Sequence, residues 1–144
     1  MVKRRCLIPA DGFYEWGTAG DGSGKKQAFH IRSAHGGLLV MAGLWEIWHD
    51  PDDADGTDAQ PLRTCTIVTT QANNQMAPVH DRMPVVLDRA GQAMWLEHGN
   101  GTAAVLPLLA PLPDGQLELF AVDGRVGNVK NDDAGLIVPA TNTA

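Results

Sequence analysis

The chain has 144 residues, of which 44% are hydrophobic and 19% are charged. This length and composition are typical of one globular domain and exclude a disordered chain and a coiled coil. The formal net charge of −6 argues against broad electrostatic binding to nucleic acid, so any DNA site must depend on a local group of basic residues.

Short apolar runs separated by turn-forming residues predict many short strands. The predicted strands are residues 4–10, 13–16, 27–32, 38–48, 62–70, 85–87, 117–122 and 126–130. Gly36 and Gly37 predict the turn between two of them. Short helices are predicted over residues 71–77, ending before Pro78, and over residues 88–98, with Asp88 as the N-cap. The pattern predicts an α+β fold in which a curved, barrel-like antiparallel β-sheet carries short helices, with residues 1–144 as a single domain.

The spacing of cysteines and histidines does not predict a metal site. Cys6 and Cys65 lie in apolar stretches without a C-x-x-C pair, which predicts two buried, reduced thiols. The histidines lack the H-x-x-x-H spacing, and the acidic segment 50–61 lacks the EF-hand pattern and predicts a solvated loop. The sequence contains neither an apolar run of membrane-spanning length nor the pattern of a signal peptide. We therefore expect a cytoplasmic protein.

A carboxylate stands between two aromatic residues in the segment Gly12-Phe13-Tyr14-Glu15-Trp16. Partial desolvation beside the aromatic rings favours the protonated form of a carboxylate, so Glu15 is a candidate for proton exchange near neutral pH. The alternative interpretation is that Glu15 points to solvent from an edge strand.

A second cluster of polar residues follows a proline, in the order Val79-His80-Asp81-Arg82. His80 is a candidate general acid or base, and the Arg82 guanidinium is suited to a phosphate or a carboxylate. The alternative is a hydrogen-bonded surface histidine beside an ordinary ion pair between Asp81 and Arg82.

Five blocks of sequence together carry a family resemblance. They are residues 4–16 (RRCLIPADGFYEW), 42–46 (AGLWE), 69–73 (TTQAN), 80–84 (HDRMP) and 129–132 (VKND). In this order, within residues 4–139, they closely resemble the SOS response-associated peptidase (SRAP) family of abasic-site processing proteins.

The resemblance implies a protein that senses and shields abasic sites in single-stranded DNA. In that family, a cysteine exposed at the N-terminus reacts with the ring-opened sugar aldehyde. Its α-amine forms a Schiff base, and its thiol then closes a thiazolidine, which is a covalent DNA–protein crosslink. The resemblance also implies an autoprocessing peptidase activity. We expect no metal or other cofactor, no membrane partner, and a monomer.

The resemblance also implies roles for individual residues. Glu15 matches the family's catalytic glutamate, which assists proton transfer during Schiff-base formation. His80 matches its catalytic histidine, which exchanges protons with the sugar oxygen. Arg82 falls where a phosphate-contacting arginine is expected, and Thr69 falls where a hydroxyl lies near the active site. We therefore expect Glu15 and His80 to meet in one cleft.

The sequence departs from the family's pattern at its start. The family's first block carries the nucleophilic cysteine and an N-A-R-x-E motif, whereas this sequence begins with Met1-Val2, and Val2 has no thiol. We therefore expect a chain that lacks roughly the first third of a usual family member and that cannot form the thiazolidine itself. Cys6 would become N-terminal only after proteolysis following Arg5.

Two other interpretations remain open. The first is a non-catalytic module that binds single-stranded DNA through phosphate contacts and through stacking on aromatic residues, Trp16 among them. Its candidate residues are Lys3, Arg4, Arg5 and Arg82 with the aromatic cluster Phe13 to Trp16. The second is a degenerate fragment with no activity.

Overall fold

The computed structural model describes residues 4–20, 22–49 and 61–141. Its strands are β1 (Arg5–Ala10), β2 (Phe13–Thr18), β3 (Lys26–Ser33), β4 (Leu39–Trp48), β5 (Leu62–Ile67), β6 (Thr69–Gln71), β7 (Arg82–Pro84) and β8 (Leu117–Ala121). The α-helices are α1 (Arg89–Leu96) and α2 (Thr102–Val105), and 3-10 helices cover Leu106–Leu108, Gly124–Gly127 and Ala134–Ile137. The predicted α+β fold with antiparallel sheets and short helices is confirmed.

The described strands form two three-stranded sheets and a two-stranded hairpin. Sheet 1 has the order β1-β4-β5, sheet 2 has the order β2-β3-β8, and β6 pairs with β7, all antiparallel. Backbone hydrogen bonds tie the hairpin to sheet 1, since the Val68 N–H donates to the Ala42 carbonyl at 2.8 Å and the Val85 N–H donates to the Val68 carbonyl at 2.9 Å. No closed barrel forms among these strands.

Two clusters of buried side chains make up the core. The first joins both sheets to the β6–β7 hairpin and contains Ile31, Leu39, Met76, Met83 and Leu117. The second lies under α1 and contains Ala42, Val85, Leu87, Trp95 and Val105. The hairpin is therefore fixed by buried apolar contacts as well as by its backbone hydrogen bonds.

Two local predictions are confirmed at the level of backbone geometry. The Asp88 carboxylate accepts a hydrogen bond from the Gly91 N–H at 2.7 Å and caps α1. Gly36 and Gly37 have φ values of 75° and 78° in the β3–β4 turn, a region that glycine adopts without steric cost.

Three predicted elements are wrong. Residues 71–77 form no helix: the chain makes successive turns over residues 74–79, and Pro78 lacks the N–H that a continuing helix needs. A strand is predicted over residues 85–87, but the observed strand, β7, lies three residues earlier. Val86 contributes only an isolated bridge to Met41. Residues 126–130 form no strand, because the Asp123 carboxylate accepts from the Arg125 N–H and begins a 3-10 helix.

The prediction of two buried thiols also fails, since Cys65 is exposed on β5 and Cys6 is half-buried. Most of the predicted acidic loop over 50–61, along with Met1, Val2 and Lys3, lies outside the described residues.

Candidate active site

Glu15 lies on the core-facing side of β2, which is an edge strand of sheet 2. It pairs with Phe29 of β3 and shares its face of the strand with Phe13 and Gly17, because side chains alternate along a strand. Phe13 and Phe29 both pack against the first core cluster. Glu15 is itself half-buried on this edge strand.

The turn that carries His80 rests on the same face of β2. A Cβ atom added to Gly17 would lie 3.2 Å from the Cα of Val79 and 3.4 Å from its Cγ1. Two residues along a strand span about 7 Å and one step between Cα atoms spans about 3.8 Å, so the Cα atoms of Glu15 and His80 lie no more than about 15 Å apart. Glu15 and His80 therefore lie beside one interface, although 65 positions separate them in the sequence.

The backbone around His80 fixes which ring nitrogen carries the proton. Nδ1 accepts a hydrogen bond from the Arg82 N–H at 3.0 Å, so the neutral ring carries its proton on Nε2. Nδ1 also lies 3.2 Å from a carboxylate oxygen of Asp81 and 3.2 Å from the Arg82 carbonyl. When the ring is protonated, the new Nδ1–H can be donated to one of these two oxygens, which replaces the hydrogen bond accepted from the Arg82 N–H.

Arg82 and Thr69 are held together across the β6–β7 hairpin. The guanidinium donates through Nη2 to the Thr69 carbonyl and to Oγ1, both at 2.8 Å, and through Nε to Oγ1 at 3.2 Å. These contacts use Nε and Nη2, and Arg82 remains exposed. Thr69 therefore orients a guanidinium that is available to an anion approaching beside His80.

Trp16 lies on the opposite face of β2 from Glu15, because it occupies the next position in the strand. Its side chain is 39% exposed. A Cβ atom on Gly127 would lie 3.9 Å from its Cζ2, which places Gly127 beside the ring. The structure thus brings His80, Arg82 and Thr69 together, packs the turn before His80 against the strand that carries Glu15, and directs Trp16 to the other side of that strand.

Sequence reasoning missed a buried histidine beneath the site strand. His30 is 4% exposed, and its Nδ1 has no hydrogen-bond partner among the described atoms. Its ring lies 5.2 Å from that of Tyr14 and 5.4 Å from that of Phe120, and a Cβ atom on Gly12 would overlap it. Burial and the charge of Arg32 lower the pKa of His30. The only hint in the sequence is its place between two apolar residues, since finding its partners requires the strand register.

Arg4 and Arg5 both have partners in the fold. The Arg5 guanidinium donates to the backbone carbonyls of Trp95, Glu97 and Asn100 at the end of α1, the bond to Glu97 being 2.6 Å long. Arg4 forms an ion pair with Glu46. Arg5 is therefore a structural residue and is not available as the phosphate contact that the DNA-binding alternative requires.

Within the described ranges, no group of three or more acidic, cysteine or histidine side chains is arranged to hold a metal ion. None of the helices described has the length and apolar character that crossing a membrane requires.

Comparison with known proteins identifies the family. A family model described as SOS response associated peptidase (SRAP) matches residues 1–129. The chain belongs to this family. The resemblance carried by the five sequence blocks is therefore confirmed at the level of the family.

Relatives of this SRAP chain are named abasic site processing proteins. YoqW of Bacillus subtilis is 37% identical over 138 residues, which cover 95% of this chain and 58% of YoqW. YedK of Escherichia coli is 33% identical, with coverage of 94% and 57%. HMCES of Gallus gallus is 31% identical, with coverage of 94% and 44%. The chain thus spans less than three-fifths of the length of these relatives.

Solved structures share the fold. A protein from Bacteroides thetaiotaomicron superposes with a TM-score of 0.82 at 23% identity, covering 97% of this SRAP chain and 58% of the other. A protein from Bordetella bronchiseptica superposes with a TM-score of 0.70 at 28% identity, covering 85% and 56%.

Proposed function

We propose that this SRAP chain acts on abasic sites in single-stranded DNA, with Glu15 and His80 transferring protons at the damaged sugar and Arg82 holding a neighbouring phosphate. The names of its relatives support the substrate. The observation that supports the proposal for the site is the close approach of Val79 to Gly17, because these residues stand one and two positions away from His80 and Glu15 in the sequence.

The geometry of His80 suits a sugar hydroxyl. An open-chain abasic sugar carries an aldehyde and alcohol groups. The closed form opens when the bond between its anomeric carbon and its ring oxygen breaks. The Nε2–H of neutral His80 can donate a hydrogen bond to that oxygen. To act as an acid, the ring first takes a proton on Nδ1, where Asp81 lies 3.2 Å away, and then passes its Nε2 proton to the oxygen and is left neutral. We assign His80 to ring opening and closing on this basis.

Glu15 is suited to the second proton transfer. Addition of a primary amine of the protein, either an α-amino group or a lysine, to the aldehyde gives a carbinolamine, which becomes an imine when water leaves. The departing hydroxyl needs a proton, and the attacking nitrogen must lose one. A half-buried carboxylate within reach of both serves as acid and base in turn. We assign Glu15 to this exchange, and we assign the proton transfers of autoprocessing cleavage to the same two residues.

Arg82 supplies affinity for the backbone of the strand. Thr69 holds its guanidinium at three contacts, so little side-chain freedom is lost when a phosphate binds. Because the net charge of the chain is −6, its phosphate contacts must be local, and Arg82 offers such a contact next to His80.

A borohydride-trapping assay tests the proposal. A labelled single strand with one aldehydic abasic site is compared with an intact strand and with a strand that carries a tetrahydrofuran analogue, which has no aldehyde. We expect tighter binding to the abasic strand and trapped adduct on a denaturing gel with the aldehyde only. Glu15→Gln and His80→Ala should slow trapping by about 10²- to 10⁴-fold and leave binding of the analogue unchanged.

Two exposed residues supply matched control variants. Glu118→Gln removes a carboxylate from β8, and His35→Ala removes an imidazole from the β3–β4 turn; both should trap at the wild-type rate. Wild-type trapping in Glu15→Gln and His80→Ala would contradict the roles assigned to them. Equal affinity for intact and abasic strands, with no adduct, would favour the non-catalytic DNA-binding alternative.

A further inference from the structure

His30 lies in the middle of sheet 2, on the face opposite Glu15. It pairs with Tyr14 of β2 on one side and with Phe120 of β8 on the other. The centres of these two rings lie 5.2 Å and 5.4 Å from the centre of the imidazole. The imidazole is therefore the middle member of a row of three rings that crosses all three strands of the sheet.

The His30 ring is buried without the hydrogen bonds that a buried imidazole normally makes. Its Nδ1 is the one buried side-chain nitrogen or oxygen in the described part of the chain that has no partner. An unpaired buried polar atom is destabilising, and such atoms in folded proteins usually have a partner. A phenylalanine would fill a similar space without this cost, so packing alone does not account for a histidine here.

The start of β2 rests directly on this ring. A Cβ atom on Gly12 would overlap the His30 Nε2 and would lie 2.7 Å from the Ile31 carbonyl oxygen. Gly12 and Tyr14, which both touch the ring, precede Glu15 by three positions and by one. We call this arrangement the His30 contact. Because the groups are close-packed, the ring cannot change its position without moving the start of β2.

The charges nearest to His30 disfavour a proton on its ring. Burial and the charge of Arg32 lower the pKa of His30, and Asp11 in the β1–β2 turn acts in the opposite direction. Arg32 donates to the Glu118 carboxylate of β8 at 2.8 Å. The pairing offsets part of the charge of Arg32, and the carboxylate is directed to the guanidinium rather than to the imidazole.

Ionisable groups on the other elements packed against β3 do not favour a charged ring either. Burial raises the pKa of the Tyr14 phenol, so this neighbour stays uncharged. The 3-10 helix Gly124–Gly127 also contacts β3, and its Arg125 is paired with Asp133 at 2.7 Å. Glu15 points to the opposite face of the sheet.

The backbone bonds of β2 connect the His30 contact to Glu15. The Val122 N–H donates to the Ala28 carbonyl at 2.9 Å, so even-numbered residues of β3 bond to β8 and odd-numbered residues bond to β2. Their partners on β2 are Phe13 and Glu15, opposite Ile31 and Phe29. Displacement of the start of β2 would break these bonds and would move the Glu15 carboxylate relative to the His80 turn.

We propose that His30 is a positioning residue with a pH-sensitive role: its uncharged ring holds the start of β2, and therefore Glu15, in place, and uptake of a proton releases them. A protonated ring needs an acceptor at Nδ1, where the described surroundings supply none. The ring gains an acceptor only by leaving its place. Release of β2 does not depend on DNA, whereas its effect on activity rests on the proposed role of Glu15.

Amide exchange of the DNA-free chain, followed by NMR and corrected for intrinsic exchange rates, tests the release of β2. A released histidine takes up a proton below about pH 6.5. Opening of β2 should therefore become roughly fivefold to tenfold more frequent between about pH 7.5 and about pH 5.5. The amides of Phe13 and Glu15 should show this change together with the His30 ring signal. The amide of Met41, which pairs with Ile8 in sheet 1, should not.

Two variants and one control separate the proton from the packing. His30→Phe keeps a ring that cannot take up a proton, and His30→Leu removes both the ring and the charge. Both should abolish the pH dependence of exchange at Phe13 and Glu15, and His30→Leu should also raise exchange there at every pH. His35→Ala, which removes an exposed histidine from the β3–β4 turn, should keep the wild-type response. Thermal unfolding establishes that each variant is folded.

Imine trapping connects the His30 contact to the site. The pH at which the His30 ring is half protonated is read from its NMR signal. At that pH half of the molecules have released β2, so the wild type should trap at about half the rate of His30→Phe, each relative to its own rate at about pH 7.5. Comparison at one pH cancels the titration of His80 and of the attacking amine.

Protonation of the His30 ring with unchanged exchange at Phe13 and Glu15 would overturn the proposal, as would a pH response that survives in folded His30→Phe. Equal acceleration at Met41 would also overturn it, because the whole chain would then be unfolding. The expected exchange with no difference in trapping between the wild type and His30→Phe would leave the positioning of β2 standing and contradict the catalytic role of Glu15.

Discussion

Substitution of Gly17 tests how the site is assembled, because this glycine is where the His80 turn touches the Glu15 strand. In Gly17→Ala the new Cβ would lie 3.2 Å from both the Val79 Cα and the Phe29 Cε2. Carbon atoms in good contact lie about 3.5–4.0 Å apart, so the turn must move by roughly half an ångström. One of these two contacts is with backbone, which a change of side-chain rotamer cannot relieve.

The expected magnitudes follow from that displacement. Overpacking of this kind costs about 1–3 kcal/mol, and replacing glycine returns about 0.4–1 kcal/mol through the unfolded state. A shift of about 1 Å between reacting groups can cost on the order of 100-fold in rate, so half that shift corresponds to about tenfold. We therefore expect Gly17→Ala to be about 1 kcal/mol less stable and about tenfold slower in imine trapping.

Gly20→Ala is the matched control, since a Cβ at Gly20 would meet no atom within 4 Å. Urea unfolding and the rate of borohydride trapping are measured for both variants. If Gly17→Ala matches Gly20→Ala in stability and in rate, the contact between β2 and the His80 turn does not set the geometry of the site, and the placement of Glu15 beside His80 loses its support.

Three further predictions concern the charged and titratable groups. Arg82→Ala should weaken binding to single-stranded DNA and reduce its salt slope by about 1. Thr69→Val keeps the charge and the backbone contact of Arg82 but removes both contacts to Oγ1, so it should weaken binding with the slope unchanged. The pKa of His30 is lowered in the fold, so the unfolded chain takes up the proton first as the pH falls below about 6.5. The free energy of unfolding should therefore decrease over that range. His30→Phe should remove this part of the pH dependence in urea titrations. Arg5→Met removes charged hydrogen bonds to the end of α1 and should cost about 2 kcal/mol in the same assay, with no effect on DNA affinity.

The features that the sequence predicted well are those with a local cause. Asp88 caps α1 because its side chain and the Gly91 N–H are three residues apart, and the β3–β4 turn forms where two adjacent glycines accept positive φ. The helix predicted over 71–77 fails for a reason that is also local. The carboxamide of Asn73 accepts from the Met76 N–H at 2.9 Å, and Pro78 then stops the turn from propagating.

The features that could not be predicted depend on register and on distant contacts. The pairing of His30 with Tyr14 is decided by how β2 aligns with β3, and a shift of one residue would turn His30 to the other face. The contact of Gly17 with Val79 joins two unrelated stretches of sequence. The family resemblance identified Glu15 and His80 as candidates, but only the packed structure supplies the reason that they lie near each other.

The two halves of the site share one anchor in the core. Met76 and Met83 stand before and after His80 in the sequence, and both are buried in the first core cluster with Ile31 of β3. Phe13, which shares the core-facing side of β2 with Glu15, packs against the same cluster. The positions of Glu15 and His80 are therefore each determined relative to one set of close-packed side chains, which resist displacement more strongly than an exposed hydrogen bond would. For this reason Glu15 and His80 need no direct bond to each other to hold their positions.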